Sequence, residues 1–281
     1  MRETGSIAEL RGWLASERAS GRRVALVPTM GFLHAGHLSL VEAARARADV
    51  VVMTLFVNPL QFGPGEDFER YPRDPERDRG LAASSGVDIL FAPAPGEMYH
   101  DGADMRIAAG GIAMRWEGEV RPGHFDGVLT VVAKLFNIAQ PDVACFGQKD
   151  IQQVALVRRM IREFNFPVEL LVSPIMREPD GLAMSSRNVY LSPQERRAAL
   201  ALSRGLHAAE ARWRDGETDA NALRTVVHDA LAMERDVAPD YVALVDPETL
   251  APADRATAGS IIVLAARVGR TRLIDNVILA S

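Results

Sequence analysis

Along the first 175 or so residues, apolar positions switch repeatedly between continuous runs and helical spacing. Val24 to Pro28 (VALVP) predicts a buried strand, and Leu38 to Arg47 predicts a helix with one apolar face. Val50 to Val57 (VVVMTLFV) is β-branched and apolar at nearly every position, the pattern of a strand covered on both faces. A helix around Pro75 to Ser84 leads to a short strand at Asp88 to Ala92. A helical pattern follows over Phe125 to Asn137, then a strand at Val143 to Phe146, a helix over Ile151 to Phe164 and a strand at Val168 to Val172. Strand followed by helix, repeated in this way, implies a doubly wound, Rossmann-like α/β domain with a parallel sheet.

After Pro174 the pattern changes. Ser192-Pro193-Gln194-Glu195 has the layout of a helix start: serine as N-cap, proline in the first helical position and glutamate closing a capping box. That helix is expected to run to Arg214, with another after Asp219. Strands are expected at Tyr241 to Val245, Ser260 to Val268 and Thr271 to Leu279, the last two joined by a tight turn at Gly269-Arg270. The reading is a Rossmann-like domain over residues 1–175 followed by a smaller α+β domain over residues 176–281.

The 281 residues suffice for either one large core or two moderate ones, and 48% hydrophobic with 25% charged is ordinary globular composition. Net charge is -5, and lysine and arginine are scattered, which argues against a nucleic-acid footprint. Cys145 is the only cysteine, so an intrachain disulfide and a thiolate-rich zinc site are both excluded. The first residues lack the layout of a signal peptide, and no apolar run approaches the roughly 20 residues needed to span a bilayer. A cytoplasmic protein, soluble and without membrane partners, is expected.

The segment PTMGFLHAGH, Pro28 to His37, falls where a doubly wound fold binds ligands, past the end of a first strand and at the start of a helix. A helix N-terminus offers unpaired N–H groups suited to phosphate, and Gly31 and Gly36 allow close backbone approach. His34 and His37 would share a face, able to donate to a phosphate as charge develops. Alternatively they are a loop histidine and a capping histidine, or a metal pair, although HEXXH spacing is absent.

Asn58 and Gln61 follow the strongest strand on a Pro/Gly-rich stretch; taken alone they are loop residues as readily as ligands. Arg121 and His124 precede a helix, and Arg121 could equally be a surface charge. FGQKD repeats the strand–loop–helix arrangement, with Lys149 and Asp150 either serving phosphate and magnesium or forming a solvated pair. MSSRN, Met184 to Asn188, offers hydroxyls and a guanidinium for a triphosphate, or is simply a polar interdomain turn.

Five segments in order decide among these. PTMGFLHAGH resembles the HxGH element of the nucleotidylyltransferase superfamily. Together with FVNPLQFGPGEDFERYPR, EGEVRPGHFDGVLTVVAKLFN, FGQKDIQQ and REPDGLAMSSRN, it resembles the pantothenate synthetase (pantoate–β-alanine ligase) family over about residues 20–195. The resemblance implies ATP-dependent ligation of (R)-pantoate and β-alanine through a pantoyl adenylate, with Mg2+ and a homodimeric assembly. It implies ATP contacts at Met30, Gly31, Phe32, Leu33, His34, Ala35, Gly36 and His37. Further ATP contacts are implied at Gly147, Gln148, Lys149 and Asp150, at Met176, and at Met184, Ser185, Ser186 and Arg187. His34, His37 and Lys149 are implied to be catalytic, Gln61 and Gln153 to bind pantoate, and Asn58, Arg121 and His124 to line the substrate site. Asp150 is the implied magnesium ligand. Where the family commonly has valine near the adenine this chain has Met176, so only a backbone contact carries over there. The first domain is then expected to bind nucleotide and pantoate, and the second, with the Pro59 to Pro75 stretch, to act as a lid. The rivals are another HxGH nucleotidylyltransferase and a non-catalytic ATP-binding module.

Overall fold

A computed structural model describes residues 1–280 and resolves two compact units: Met1–Gln148 with Leu156–Pro174, and Lys149–Ala155 with the chain from Ile175 onward. In chain order the elements are β1 (Arg2–Thr4), α1 (Ile7–Ala19), β2 (Val24–Val27), α2 (Ala35–Arg45), β3 (Val50–Thr54), α3 (Pro75–Ser84), β4 (Ile89–Phe91), α4 (Pro95–Met98), α5 (Glu117–Val120), α6 (His124–Ala139), β5 (Val143–Gly147), α7 (Ile151–Glu163), β6 (Glu169–Ser173), α8 (Pro193–Arg214), α9 (Ala220–Ala232), β7 (Val237–Val245), β8 (Ile261–Val268) and β9 (Thr271–Ile278). Short 3-10 turns cover Pro59–Gln61, Gln148–Asp150 and Ser186–Tyr190.

The first unit is built on a six-stranded sheet in the order β1-β4-β3-β2-β5-β6, with every pairing parallel. The order reverses between β2 and β5, which makes their carboxyl ends the topological switch point of the sheet. All residues of β2 and β3 are buried, as a strand covered on both faces requires. Ala25, Val27, Val51 and Met53 pack with Leu40, Val41 and Ala44 of α2 and Ala82 of α3 in one cluster. Cys145 lies in the same cluster, and burial pushes its thiol up to about 12. It is a packing residue.

Four elements, β1, α1 and the one-turn helices α4 and α5, have no counterpart in the apolar pattern. β1 is only three residues long and pairs with β4 at the sheet edge, and α1 buries just Leu10 and Leu14 along its length. Thr54 ends β3 three residues before the apolar run stops. Its hydroxyl and carbonyl turn to Thr29, which donates to Thr54 O at 2.5 Å and accepts from Gly31 N–H at 3.2 Å.

The second unit carries the antiparallel sheet β7-β8-β9, against which α8 and α9 pack around Leu202, Leu206, Leu223, Val227, Ile262 and Leu264. The capping box at Ser192 is present: its hydroxyl accepts Glu195 N–H at 3.2 Å, and Glu195 accepts Ser192 N–H at 2.8 Å. β7 starts four residues earlier than the sequence indicates, because Pro239 is accommodated at an irregularity on the edge strand.

Candidate active site

The loop after β2 is shaped by its own backbone before any ligand arrives. Gly31 and Phe32 are both left-handed, at φ 86° and 47°, the second an uncommon state for a residue with a side chain. Asp78 of α3, only 2% exposed, holds this conformation by accepting Phe32 N–H and Leu33 N–H, one on each oxygen, both at 2.7 Å. A Cβ at Gly31 would sit 3.1 Å from the same carboxyl group.

α2 begins directly after the loop, at Ala35, three residues before its apolar pattern starts. His37 Nδ1 accepts the His34 N–H at 3.2 Å, which secures the first turn. In a neutral ring this leaves the proton on Nε2, a donor on the far side of the imidazole. The two rings lie 4.0 Å apart, centroid to centroid. The capping role and a ligand role are therefore compatible, since they use opposite ring nitrogens.

The Pro59–Gln61 turn rests on α6 at Gly127, where a Cβ would lie 2.2 Å from Leu60 O. Asn58 Nδ2 donates to Gly127 O at 3.1 Å and to Gln61 Oε1 at 3.0 Å. Gln61 Nε2 reaches Met30 Sδ at 3.1 Å, which joins this turn to the loop after β2. Arg121 and His124 point to the same place, although their bonds are to protein. Arg121 donates to Gln61 O at 3.3 Å and pairs with both oxygens of Glu66, and His124 Nδ1 lies 2.8 Å from Gln61 O. A carbonyl only accepts, so Nδ1 carries the proton and Nε2 accepts from Arg121 at 3.1 Å. Burial, and next to it the Arg121 charge, push this histidine down to about 4, so the ring stays neutral. The family resemblance implies that Asn58, Arg121 and His124 line the substrate site; in the structure all three bond to Gln61.

The Gly/Pro-rich stretch after this turn is packed by its own side chains. Phe62 meets Phe68 and Tyr71 at 5.3 and 6.0 Å between centroids, and Arg73 donates to the carbonyls of Phe68, Glu69 and Tyr71.

The remaining expected residues lie at the end of β5 and in the second unit. Gly147 ends β5, beside β2 at the switch point, and Gln148 begins the turn after it. Lys149 pairs with Asp150 at 3.8 Å, with half of the Asp150 side chain exposed. Asn276 of β9 donates to Lys149 O at 3.0 Å. Gln153 is half-buried in the first turn of α7. Met176 is 41% exposed, and its carbonyl accepts Met184 N–H at 2.9 Å. Ser185 Oγ caps the Ser186–Tyr190 turn by accepting Arg187 N–H at 3.2 Å. Asn188 braces the segment from behind, donating to Glu178 and Ala183. Among the described residues no three His, Cys, Asp or Glu side chains form a metal cluster, and no helix is long and apolar enough to cross a membrane.

A family profile described as Pantoate-beta-alanine ligase matches residues 3–278. The chain belongs to the pantoate–beta-alanine ligase family. It is 52% identical over 274 residues to the pantothenate synthetase of Moorella thermoacetica, covering 98% of this chain and 97% of the relative. It is 53% identical over 279 residues to that of Roseiflexus castenholzii, covering 99% of each. Among solved structures, a pantothenate synthetase from Thermus thermophilus matches with a TM-score of 0.96 at 49% identity, covering 100% of both chains. The pantoate-beta-alanine ligase of Francisella tularensis, solved in complex with beta-gamma ATP and beta-alanine, matches at 0.83 and 32%, covering 99% of this chain and 98% of that one. Sequence reasoning missed the side chains that hold these segments: Asp78, Thr54, Tyr99, Glu66 and Asn276. Each is an ordinary residue in its local sequence, and no spacing marks any of them.

Proposed function

We propose that the chain condenses (R)-pantoate with β-alanine to give pantothenate, consuming ATP and releasing AMP and diphosphate. The observation that carries this reading is the family match from residue 3 to 278, supported by relatives about half identical over the whole chain. A pantoate carboxylate oxygen attacks the α-phosphorus of ATP and diphosphate leaves. The β-alanine amine then attacks the carbonyl carbon of the pantoyl adenylate, AMP leaves, and the amine gives up its surplus proton. A carboxylate is already a nucleophile, so the first step needs alignment and charge stabilisation more than a base.

In this reading Met30 to His37 and Gly147 to Asp150 hold the nucleotide, with His34, His37 and Lys149 donating to the phosphates. Ser185, Ser186 and Arg187 take the diphosphate end, Met184 and the Met176 backbone complete the nucleotide site, and Gln61 and Gln153 bind pantoate. Magnesium usually keeps several waters and takes one or two carboxylates plus substrate phosphates. The half-exposed Asp150 fits that pattern, and would hold a Mg2+ that arrives with ATP and offsets phosphate charge. The second unit and the self-packed Pro59 to Pro75 stretch act as a lid, and the protein works as a cytoplasmic homodimer, which light scattering tests directly.

The deciding assay measures AMP and diphosphate release with pantoate and β-alanine added singly and together, and ATP–diphosphate exchange with pantoate alone. Exchange with pantoate alone and AMP release only with both acids are expected. Exchange that requires β-alanine refutes the stepwise order; ATP binding without either reaction refutes the enzymatic reading.

A further inference from the structure

Gln61 is held by an amide that cannot turn over. Asn58 is 1% exposed, and its two ends meet main-chain groups of opposite polarity. Oδ1 accepts Leu60 N–H at 3.3 Å, and Nδ2 donates to Gly127 O at 3.1 Å. Turning the amide over would set N–H against N–H and oxygen against oxygen, so the backbone alone dictates its orientation. Two side chains are oriented in consequence. The Tyr99 hydroxyl, at the end of α4 and 2.9 Å from Oδ1, has to donate. Gln61 has to present Oε1, 3.0 Å from Nδ2.

Asn58 is then full, with two bonds accepted and two hydrogens donated, and nothing is left for a substrate. Gln61 faces the other way, with its oxygen turned inward and its NH2 toward the loop after β2, where it meets Met30 Sδ at 3.1 Å. A thioether is a weak acceptor, readily outcompeted by a ligand oxygen. Burial pushes the Tyr99 hydroxyl far above the usual phenol range, so it remains a donor.

We infer that Tyr99 and Asn58 form a positioning relay that sets Gln61 as a hydrogen-bond donor toward its ligand. This rests on the reading that Gln61 meets pantoate. The relay then restricts what Gln61 can select: it binds an acceptor oxygen of a hydroxy acid, a hydroxyl or carboxylate oxygen, and offers nothing to an ammonium group. Tyr99 touches no substrate; it acts only through Asn58.

Three variants test the relay by steady-state KM for pantoate, β-alanine and ATP, with melting temperatures alongside. Gln61→Glu keeps an oxygen for Asn58 Nδ2 but, at about pH 8, replaces the outward NH2 by an ionised oxygen. It is expected to raise the pantoate KM at least as far as Gln61→Ala does, within roughly 5- to 150-fold, the range for one lost buried hydrogen bond. Tyr99→Phe keeps the ring and is expected to raise the pantoate KM by about 3- to 10-fold, with the ATP KM and the melting temperature nearly unchanged. A loss of general structure would move all of these together. Gln61→Glu binding pantoate like the wild type overturns the donor assignment, and Tyr99→Phe with an unchanged pantoate KM overturns the relay. Gln61→Ala with an unchanged pantoate KM instead overturns the underlying reading of Gln61 as a pantoate ligand.

Discussion

Replacing Gly127 by alanine tests the packing that presents Gln61. An added Cβ would lie 2.2 Å from Leu60 O, 2.4 Å from Leu60 C and 2.6 Å from Gln61 N. All three obstacles are main chain, so no rotamer change relieves them. Non-bonded carbon and oxygen settle at about 3.2–3.5 Å, so α6 and the turn have to part by about 1 Å. Neither yields easily: most of α6 is buried, and the turn is tied through Asn58 to Gly127 O and through Gln61 O to Arg121 and His124. Overpacking of this kind costs about 1–3 kcal/mol, and more when backbone is involved. At about 2–4 °C per kcal/mol the melting temperature should fall by roughly 2–12 °C.

Helix propensity acts with the opposite sign, since alanine is about 1 kcal/mol better than glycine inside a helix. Gly12 in α1 supplies the control: a Cβ there meets nothing within 4 Å, so Gly12→Ala should stabilise. A displacement of about 1 Å in a positioning group can cost on the order of 10²-fold in rate, and pantoate kcat/KM should fall toward that value in Gly127→Ala. Thermal melts and steady-state kinetics of the two variants decide the matter. If Gly127→Ala is as stable as Gly12→Ala and its kcat/KM lies within about 3-fold of wild type, the contact is not what places Gln61.

Asp78→Asn leaves one acceptor oxygen for two N–H groups and turns an NH2 toward the other; a hydrogen bond to a charged group is worth about 1.5–3 kcal/mol, so urea unfolding should show a loss of that size, with a raised KM for ATP. An unchanged midpoint would mean that the loop keeps its left-handed pair without the carboxyl group. His124 supplies a pH dependence: below its ordinary value of 6.5 the unfolded chain takes up a proton that the folded ring refuses until about 4, so stability falls as pH drops through that window. The depression corresponds to on the order of 3 kcal/mol at most, and melting curves of His124→Gln should lack that part of the slope. A wild-type slope in the variant assigns the dependence to another group.

Much of the fold was legible because its strands are buried on both faces, and a run such as Val50 to Thr54 admits few other readings. Boundaries failed where something other than apolar periodicity sets them. α2 starts at Ala35 because His37 secures the His34 N–H, and β3 stops at Thr54 because its polar groups turn to Thr29. α1 shows little pattern because it buries only Leu10 and Leu14. The candidate ligand-binding residues were legible as motifs, since a helix start with glycines and histidines, or a serine pair before an arginine, is written locally. Their supports were not. Asp78 sits in PERDRGLAAS, which reads as an exposed charged helix, and nothing local distinguishes a carboxyl group that is 2% exposed from its solvated neighbours.

Three of the supports share one physical design. In Asp78, Tyr99 and His124 a polar side chain is brought from a distant element to meet main chain or an amide. Asp78 reaches back 46 residues to Phe32, Tyr99 reaches 41 to Asn58, and His124 reaches 63 to Gln61. Such contacts cost conformational entropy and contribute little net stability individually, about 0.5–1.5 kcal/mol for a neutral pair. Their yield is rigidity. A reaction whose nucleophile is already ionised gains little from a strong base and much from alignment, so binding groups locked before substrate arrives are where its rate is decided. The left-handed Phe32, the neutral His124 and the fixed Asn58 amide all fit that demand.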